Sequence, residues 1–445
     1  MLRPKRYAAP ILALSLALAL PRPPVAAQSG GLTDIERRIA AAVDAGAEDA
    51  IALLQRTVDI NSGTLNPTGV KRVADVLAPE FEKLGFRVRW AALPESLGRA
   101  GHLIAERTGN RGKRLLLIGH LDTVFEEDSP FQKFVREGDK ARGPGVVDMK
   151  GGNIVILQAL RALHAEGALD GTTITVILTG DEEAPGRPLE ISRRDLIEAA
   201  KRSDVALGFE NGSGGVGHDY GVIARRSSSS WTLEVTAKPA HSSGVFRDDV
   251  GAGAIFEAAR ILNAFYAEIR GEQYLTFNPG VILGGTEVTY DDAAAAGTAF
   301  GKTNVVAERV VVKGDIRTIT DEQLQRTREK MRQIVARSLP GTQATITFSD
   351  GYPSMPPTEG NQALLAMLDQ VSRDLGHGPI LPFDPGARGA ADVSFVAPYV
   401  DGLDGLGPKG WGSHTVDETV DLPSITVAAR RAAILIYRLT RGDAS

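Results

Sequence analysis

The chain has 445 residues, a formal net charge of −5 at pH 7 and no cysteine. Without cysteine there are no disulfides, no thiolate metal sites and no cysteine nucleophile. The mildly acidic balance, with no long basic tract, argues against general nucleic-acid binding, and the length leaves room for two domains with separate cores.

The first residues read as an export signal. Arg3, Lys5 and Arg6 form a basic start, Ile11 to Leu20 is apolar apart from Ser15, and Val25-Ala26-Ala27 fits a small-residue cleavage site. The apolar run is short for a bilayer span. Pro21, Pro23 and Pro24 follow it at once, which favours a cleaved signal over a retained anchor. The expectation is a signal peptide over 1–27, a mature chain from about Gln28 in the periplasm or outside the cell, and no stable membrane span. Cleavage removes Arg3, Lys5, Arg6 and Arg22 and no acid, so the charge moves from −5 to −9.

Leu32 to Ile60 reads as one helix or two, punctuated by Asn61-Ser62-Gly63 and Asn66-Pro67. A further helix over 70–84 closes at Gly85, and extended runs follow over 87–92, 102–106 and 115–118. Leu115-Leu116-Leu117-Ile118 is apolar throughout, the pattern of a strand covered on both faces. The spacing then predicts a helix over 153–166, a strand over 173–178, a helix over 193–202 and a strand over 205–209. Such alternation indicates a mostly parallel α/β sheet flanked by helices. Open sheets of this kind bind ligands at the carboxyl ends of their strands. His120, Glu182, Glu183 and Glu210 all fall there.

After about Ile223 the pattern changes. A polar patch at Ser227–Ser230 reads as a hinge or strand edge, followed by a strand over 231–237, a helix over 251–269, a strand within 304–316 and a capped helix over 321–338. This predicts an α+β insert over 225–350 between two parts of one catalytic domain, 28–224 and 351–445. The last part carries helices over 361–375 and 424–439, and its glycine-rich tract 386–412 reads as active-site loops.

Four glycines and a proline frame a single carboxylate, Asp148, within Gly143–Gly152. In His120-Leu121-Asp122, period two puts both side chains on one face, where a carboxylate fixes the tautomer of a ligating imidazole. Asp181-Glu182-Glu183 offers adjacent acids that point different ways, one to ligate and one to act as a base. Ser413-His414 adds a late histidine in a loop. His120, Asp148, Glu183, Glu210 and His414 together suit Zn²⁺, with Mn²⁺ or Co²⁺ as chemically plausible occupants. His102, His164, His218 and His377 lack acidic ligand spacing and read as structural or surface residues. Lys150 reads as an ion-pair partner rather than a catalyst.

These motifs resemble the M20 metallopeptidases, and within them the glutamate carboxypeptidase (carboxypeptidase G2-like) branch, over nearly all of the mature chain. The resemblance implies a zinc-exopeptidase-like fold with an inserted lid and dimerisation domain. It implies two Zn²⁺ bridged by Asp148, one held by His120 and Glu210 and the other by Glu183 and His414. Glu182 would be the general base, Asp122 the partner of His120, and Asp148–Met149 a cis peptide. Ala240-His241-Ser242-Ser243-Gly244 resembles the family's Ala-His-Ala-Gly segment, whose histidine stabilises the oxyanion in its own or a partner's active site. Asn304-Val305-Val306 and Asp315-Ile316-Arg317 resemble the family's ligands for the substrate's terminal carboxylate, for which an arginine fork is suited. Gly389-Ala390-Ala391-Asp392 resembles its pocket-lining Gly-Gly-Thr-Asp loop, which makes Gly389 and Asp392 substrate-binding candidates; Arg388 before it bears on substrate preference.

The function implied is a zinc-dependent exopeptidase or amidohydrolase acting on a small peptide or acyl-amino acid. It would cleave an amide next to a free carboxylate and release a C-terminal amino acid such as glutamate. An N-acyl-amino-acid deacylase or dipeptidase of the same family is the alternative with the same metal chemistry. A non-catalytic metal-stabilised binding protein is the alternative of another class, and the retention of Glu182 and every ligand argues against it. A homodimer through the lid helix over 251–269 and its neighbouring strand edge also follows from the resemblance.

Overall fold

A computed structural model describes residues 31–442, so the signal-peptide expectation lies outside the described residues. The first predicted helical stretch divides at Gly46 into Asp34–Ala45 and Ala47–Val58. Thr33 and Glu36 cap the first of these reciprocally, each side chain satisfying a backbone N–H of the other. The next helix, Pro67–Glu82, begins earlier than its apolar periodicity indicates. Asn66 caps it by accepting from the Gly69 N–H, and Pro67 supplies a preset first turn.

The central sheet has six strands in the order Arg87–Ala91, His102–Arg107, Thr172–Thr179, Arg111–His120, Val205–Gly208 and Gly402–Leu403. The last four run parallel, and the two at the Arg87 edge pair antiparallel. The short link between those two strands holds no crossover helix, which a parallel pairing would require. Period two divides the apolar run as a doubly covered strand must: Leu115 and Leu117 join one core, Leu116 and Ile118 the other. Helix Lys150–Ala165 is buried almost all round between the sheet and the helices Asp34–Ala45, Ala47–Val58 and Leu422–Thr440. Its close seat requires glycine at its start, since a Cβ on Gly152 would overlap the Phe209 carbonyl oxygen.

Residues 228–352 build a second, antiparallel sheet in the order Thr276–Gly285, Arg309–Arg317, Ser228–Ala237 and Thr342–Tyr352. Helices Ala254–Glu268 and Asp321–Val335 cover one face, around Trp231, Phe265, Val312 and Met331. Ser228–Ser230 thus belong to a strand, where a hinge or edge was one expectation. The strand expected within 304–316 occupies Arg309–Arg317. Among the described residues no helix is long and apolar enough to cross a membrane.

Candidate active site

Three neighbouring parallel strands end side by side, and the residues at their carboxyl ends converge. His120 is the last residue of Arg111–His120, Asp181-Glu182-Glu183 follows Thr172–Thr179, and Glu210 follows Val205–Gly208. The glycine-rich loop before helix Lys150–Ala165 brings in Asp148, whose peptide bond to Met149 is cis. His120 Nε2 lies 3.4 Å from Asp148 Oδ1 and 3.6 Å from Glu210 Oε1. His414 Nε2 lies 3.2 Å from Asp148 Oδ2 and 3.2 Å from Glu183 Oε2. Asp148 therefore turns one oxygen toward each of two groups, His120–Asp148–Glu210 and Asp148–Glu183–His414. Within each group the potential ligand atoms all lie within 4.8 Å of one another. His120 Nε2 and Glu183 Oε1 are buried with no hydrogen-bond partner in the protein. Buried polar atoms are rarely left so without a further ligand, and both atoms fit a divalent cation.

A second layer of side chains holds these groups in place. His120 Nδ1 is 3.0 Å from the Asp122 carbonyl and 3.3 Å from its Oδ1. Asp122 is fully buried; it accepts the Glu182 and Glu183 N–H groups at 3.0 Å each, and the Thr64 hydroxyl at 2.7 Å. One carboxylate thus fixes both the imidazole and the backbone of the acid pair. The Asp148 loop hangs on Glu418, which accepts the Gly145, Val147 and Asp148 N–H groups at 2.9–3.0 Å. Tyr352 Oη donates to the Glu182 carbonyl at 2.5 Å and accepts from Arg193 Nη2 at 3.1 Å. Thr64, Glu418, Arg193 and Tyr352 escaped the sequence reading. Only Glu418 had a local signal, its place four residues after His414.

So many acids in one buried place raise each other's proton affinity. Burial, and then the Asp148 charge, push Glu210 up to about 8. Burial also raises Glu182 and Glu183. Asp148 stays below the ordinary range: burial works against this, but hydrogen bonds with His120 and His414 outweigh it. The bonds to Asp148 and Glu183 push His414 up to about 11. Protons held by this set at neutral pH are ones that a cation would displace on binding.

A cavity of about 290 Å³ is lined by Asp148, Glu182, Glu183, Glu210, Arg388 and His414, with Gly389 at its wall. Other predicted site residues lie elsewhere. Asp392 is buried and both its oxygens are engaged, one by Arg193 Nε at 2.7 Å and one by the Thr179 hydroxyl at 2.6 Å. Its expected substrate contact is therefore corrected to a structural ion pair. Asn304 sits in a turn beside His241, its carbonyl accepting the Ser242 N–H at 2.9 Å. Arg317 ends the strand Arg309–Arg317, whose other end, Arg309, follows that turn in sequence. Asn304 thus precedes the strand that carries Arg317. Arg317 Nε meets Asp315 at 3.0 Å. Lys150 is buried and donates to the Ile60 carbonyl at 3.1 Å, where an ion pair was expected. His102 is a buried structural residue, held between the Ser192 carbonyl and the Gly180 N–H.

Residues 116–438 match the description Peptidase family M20/M25/M40. Carboxypeptidase G2 from Pseudomonas sp. (strain RS-16) is 28% identical over 404 residues, covering 88% of this chain and 89% of that protein. The solved structure of aminopeptidase PepT from Bacillus cereus superposes with a TM-score of 0.69 at 19% identity, over 88% of this chain and 98% of that one. The YxeP protein of Bacillus subtilis, described as a dinuclear metal binding peptidase from the M20 family, superposes with a TM-score of 0.62 at 16% identity, over 89% and 99% of the two chains. A family match across most of the chain, on a mixed α/β fold with its acids gathered at the strand ends, makes this protein a hydrolase that belongs to peptidase family M20/M25/M40.

Proposed function

We propose that this peptidase is a two-metal exopeptidase or amidohydrolase. It cleaves an amide bond next to a free carboxylate and releases a C-terminal amino acid, with glutamate the leading candidate. The observation that carries this reading is the pair of ligand groups sharing Asp148, beside a further acid, Glu182, that belongs to neither. His120 and Glu210 would hold one divalent cation, Glu183 and His414 the other, with Asp148 common to both; zinc suits two imidazoles with three carboxylates. The chemistry such a pair supplies when bound is Lewis-acid polarisation of a carbonyl and a water of lowered pKa. Glu182 faces the same cavity, takes the proton of the attacking water and returns it to the leaving nitrogen. Asp122 keeps His120 oriented throughout.

Chelation and metal return provide the test. The purified protein should cleave one class among acyl-glutamates, dipeptides and N-acetyl-amino acids, lose that cleavage with a chelator and regain it with zinc. Reloading a chelator-stripped sample at pH 7 should also release protons, because His414 and Glu210 are held above neutrality when no cation competes. Apparent affinity then rises with pH, roughly tenfold per unit for each proton displaced. Cleavage indifferent to the chelator would sink the two-metal reading, and the class cleaved decides between carboxypeptidase, deacylase and dipeptidase.

His241 and Asn304 do not line the cavity of their own chain. We propose that they reach the site of a second copy, across an interface on helix Ala254–Glu268. The outer face of this helix leaves Ile255, Phe256 and Tyr266 each more than half exposed. Light scattering should give a dimer mass; a monomer that retains full activity would remove this proposal.

A further inference from the structure

Where the chain passes between the catalytic domain and the insert, it encloses a second cavity. Its volume is about 660 Å³, against about 290 Å³ for the catalytic one, and the two share no lining residue. Ser229 lines it from the strand that enters the insert and Tyr352 from the strand that leaves it. Leu324 of helix Asp321–Val335 and Phe395 and Pro398 of the catalytic domain complete the walls. Cavities of this size at a junction of domains are common places for small ligands.

The lining divides by chemistry. Tyr352 and Phe395 meet edge to face with ring centroids 5.0 Å apart, and with Leu324 and Pro398 they offer an apolar bed. Asp321, Glu322 and Asp350 also line the cavity, and no lysine or arginine does. Asp350 is paired with Arg328 at 2.6 Å. Among the described residues no basic group lies within 4.0 Å of Asp321 or Glu322, and both are exposed. The start of their helix is capped from within the chain, the Thr320 hydroxyl accepting the Gln323 N–H at 3.1 Å, so the carboxylates set the sign of the charge here. One more polar group is uncommitted. Ser229 is only 6% exposed, yet its hydroxyl makes no hydrogen bond among the described residues, whereas that of Ser227 meets the Thr318 hydroxyl at 2.9 Å. Buried hydroxyls are rarely left without a partner. A free hydroxyl acceptor and two unpaired carboxylates beside an aromatic pair suit an ammonium group on an apolar body.

We propose that this inter-domain cavity is a second ligand site, which takes a small organic cation: a primary ammonium on an aromatic or branched aliphatic body. The ammonium donates to the Ser229 hydroxyl and is balanced by Asp321 and Glu322, while Tyr352, Phe395 and Leu324 cover the body. The occupant touches both the insert and the catalytic domain, and it rests on the ring whose hydroxyl donates to the Glu182 carbonyl. It needs neither metal ion.

The test titrates phenethylamine, phenethyl alcohol and hydrocinnamate into the purified protein by calorimetry at pH 7, once zinc-loaded and once stripped by a chelator. The amine should bind about tenfold more tightly than the alcohol, the scale of a hydrogen bond to a charged group. The acid should bind most weakly, and zinc should not change the order. Asp321→Asn combined with Glu322→Gln should erase the advantage of the amine and leave the affinity for the alcohol unchanged. Ser229→Ala should weaken the amine alone; if that variant does not fold, the exposed acid pair carries the test. Ala397→Trp, which fills the cavity from the catalytic domain, should remove binding of amine and alcohol together. Equal affinity for amine and alcohol, an advantage that survives loss of both acids, or no binding of the amine overturns the proposal. Binding that appears only with zinc would put the amine among the catalytic groups and overturn it as well. None of these outcomes depends on the hydrolase reading.

Discussion

Glu182→Gln should keep its two metal ions and lose hydrolysis by about 10²- to 10⁴-fold, the usual contribution of a positioned general base. Glutamine preserves the shape of the side chain and every backbone contact: the residue's N–H still reaches Asp122 and its carbonyl still accepts from Tyr352. Glu182 belongs to neither ligand group, so metal content should not change. What disappears is the ability to accept a proton. Burial raises the proton affinity of Glu182; the His120 charge opposes this, while Asp392, Glu210 and Glu183 add to it. Upward is the direction in which a carboxylate is tuned for general-base work. Metal analysis and kcat on the best substrate decide the matter. Full activity would remove Glu182 from the base role, and loss of metal would place it among the ligands.

Much of the site was legible because its chemistry is local in sequence. His120, Glu182, Glu183 and Glu210 could be placed together once each was seen to end a strand of one parallel sheet. Asp148 and His414 announced themselves through the short motifs around them. The misreadings concern partners far apart in sequence. Asp392 looked like a pocket residue because its loop could be seen but Arg193, 199 residues earlier, could not be matched to it. Asn304-Val305-Val306 carries β-branched residues that favour a strand, yet Val305 makes only an isolated bridge to His241 before the strand proper begins at Arg309. Thr64 reaches Asp122 across 58 residues and Glu418 reaches the Asp148 loop across 270 or more, contacts that only the folded chain creates. Ligand identities were thus readable, but the residues that orient the ligands were mostly not.

Arg193→Met should destabilise the fold by about 3–5 kcal/mol, the range for removing one partner of a buried ion pair. The guanidinium is fully buried and donates to Asp392 at 2.7 Å, to Asp181 Oδ1 and the Ser192 hydroxyl at 2.6 Å each, and to the Asp181 carbonyl at 3.0 Å. Methionine fills part of the volume and leaves two carboxylates facing each other out of water, which is the expensive outcome. The urea midpoint should fall with little change in slope, and adding Asp181→Asn and Asp392→Asn should recover part of the loss because no stranded charge remains. Activity should drop before stability fails. Arg193 supports Tyr352, which donates to the Glu182 carbonyl from the end of the strand that returns from the insert. Removing it therefore loosens the base without touching a metal ligand, so kcat should fall at unchanged metal content. A midpoint shift worth less than about 1 kcal/mol, the scale of exposed pairs, would show that the network is not holding the two carboxylates as the geometry indicates.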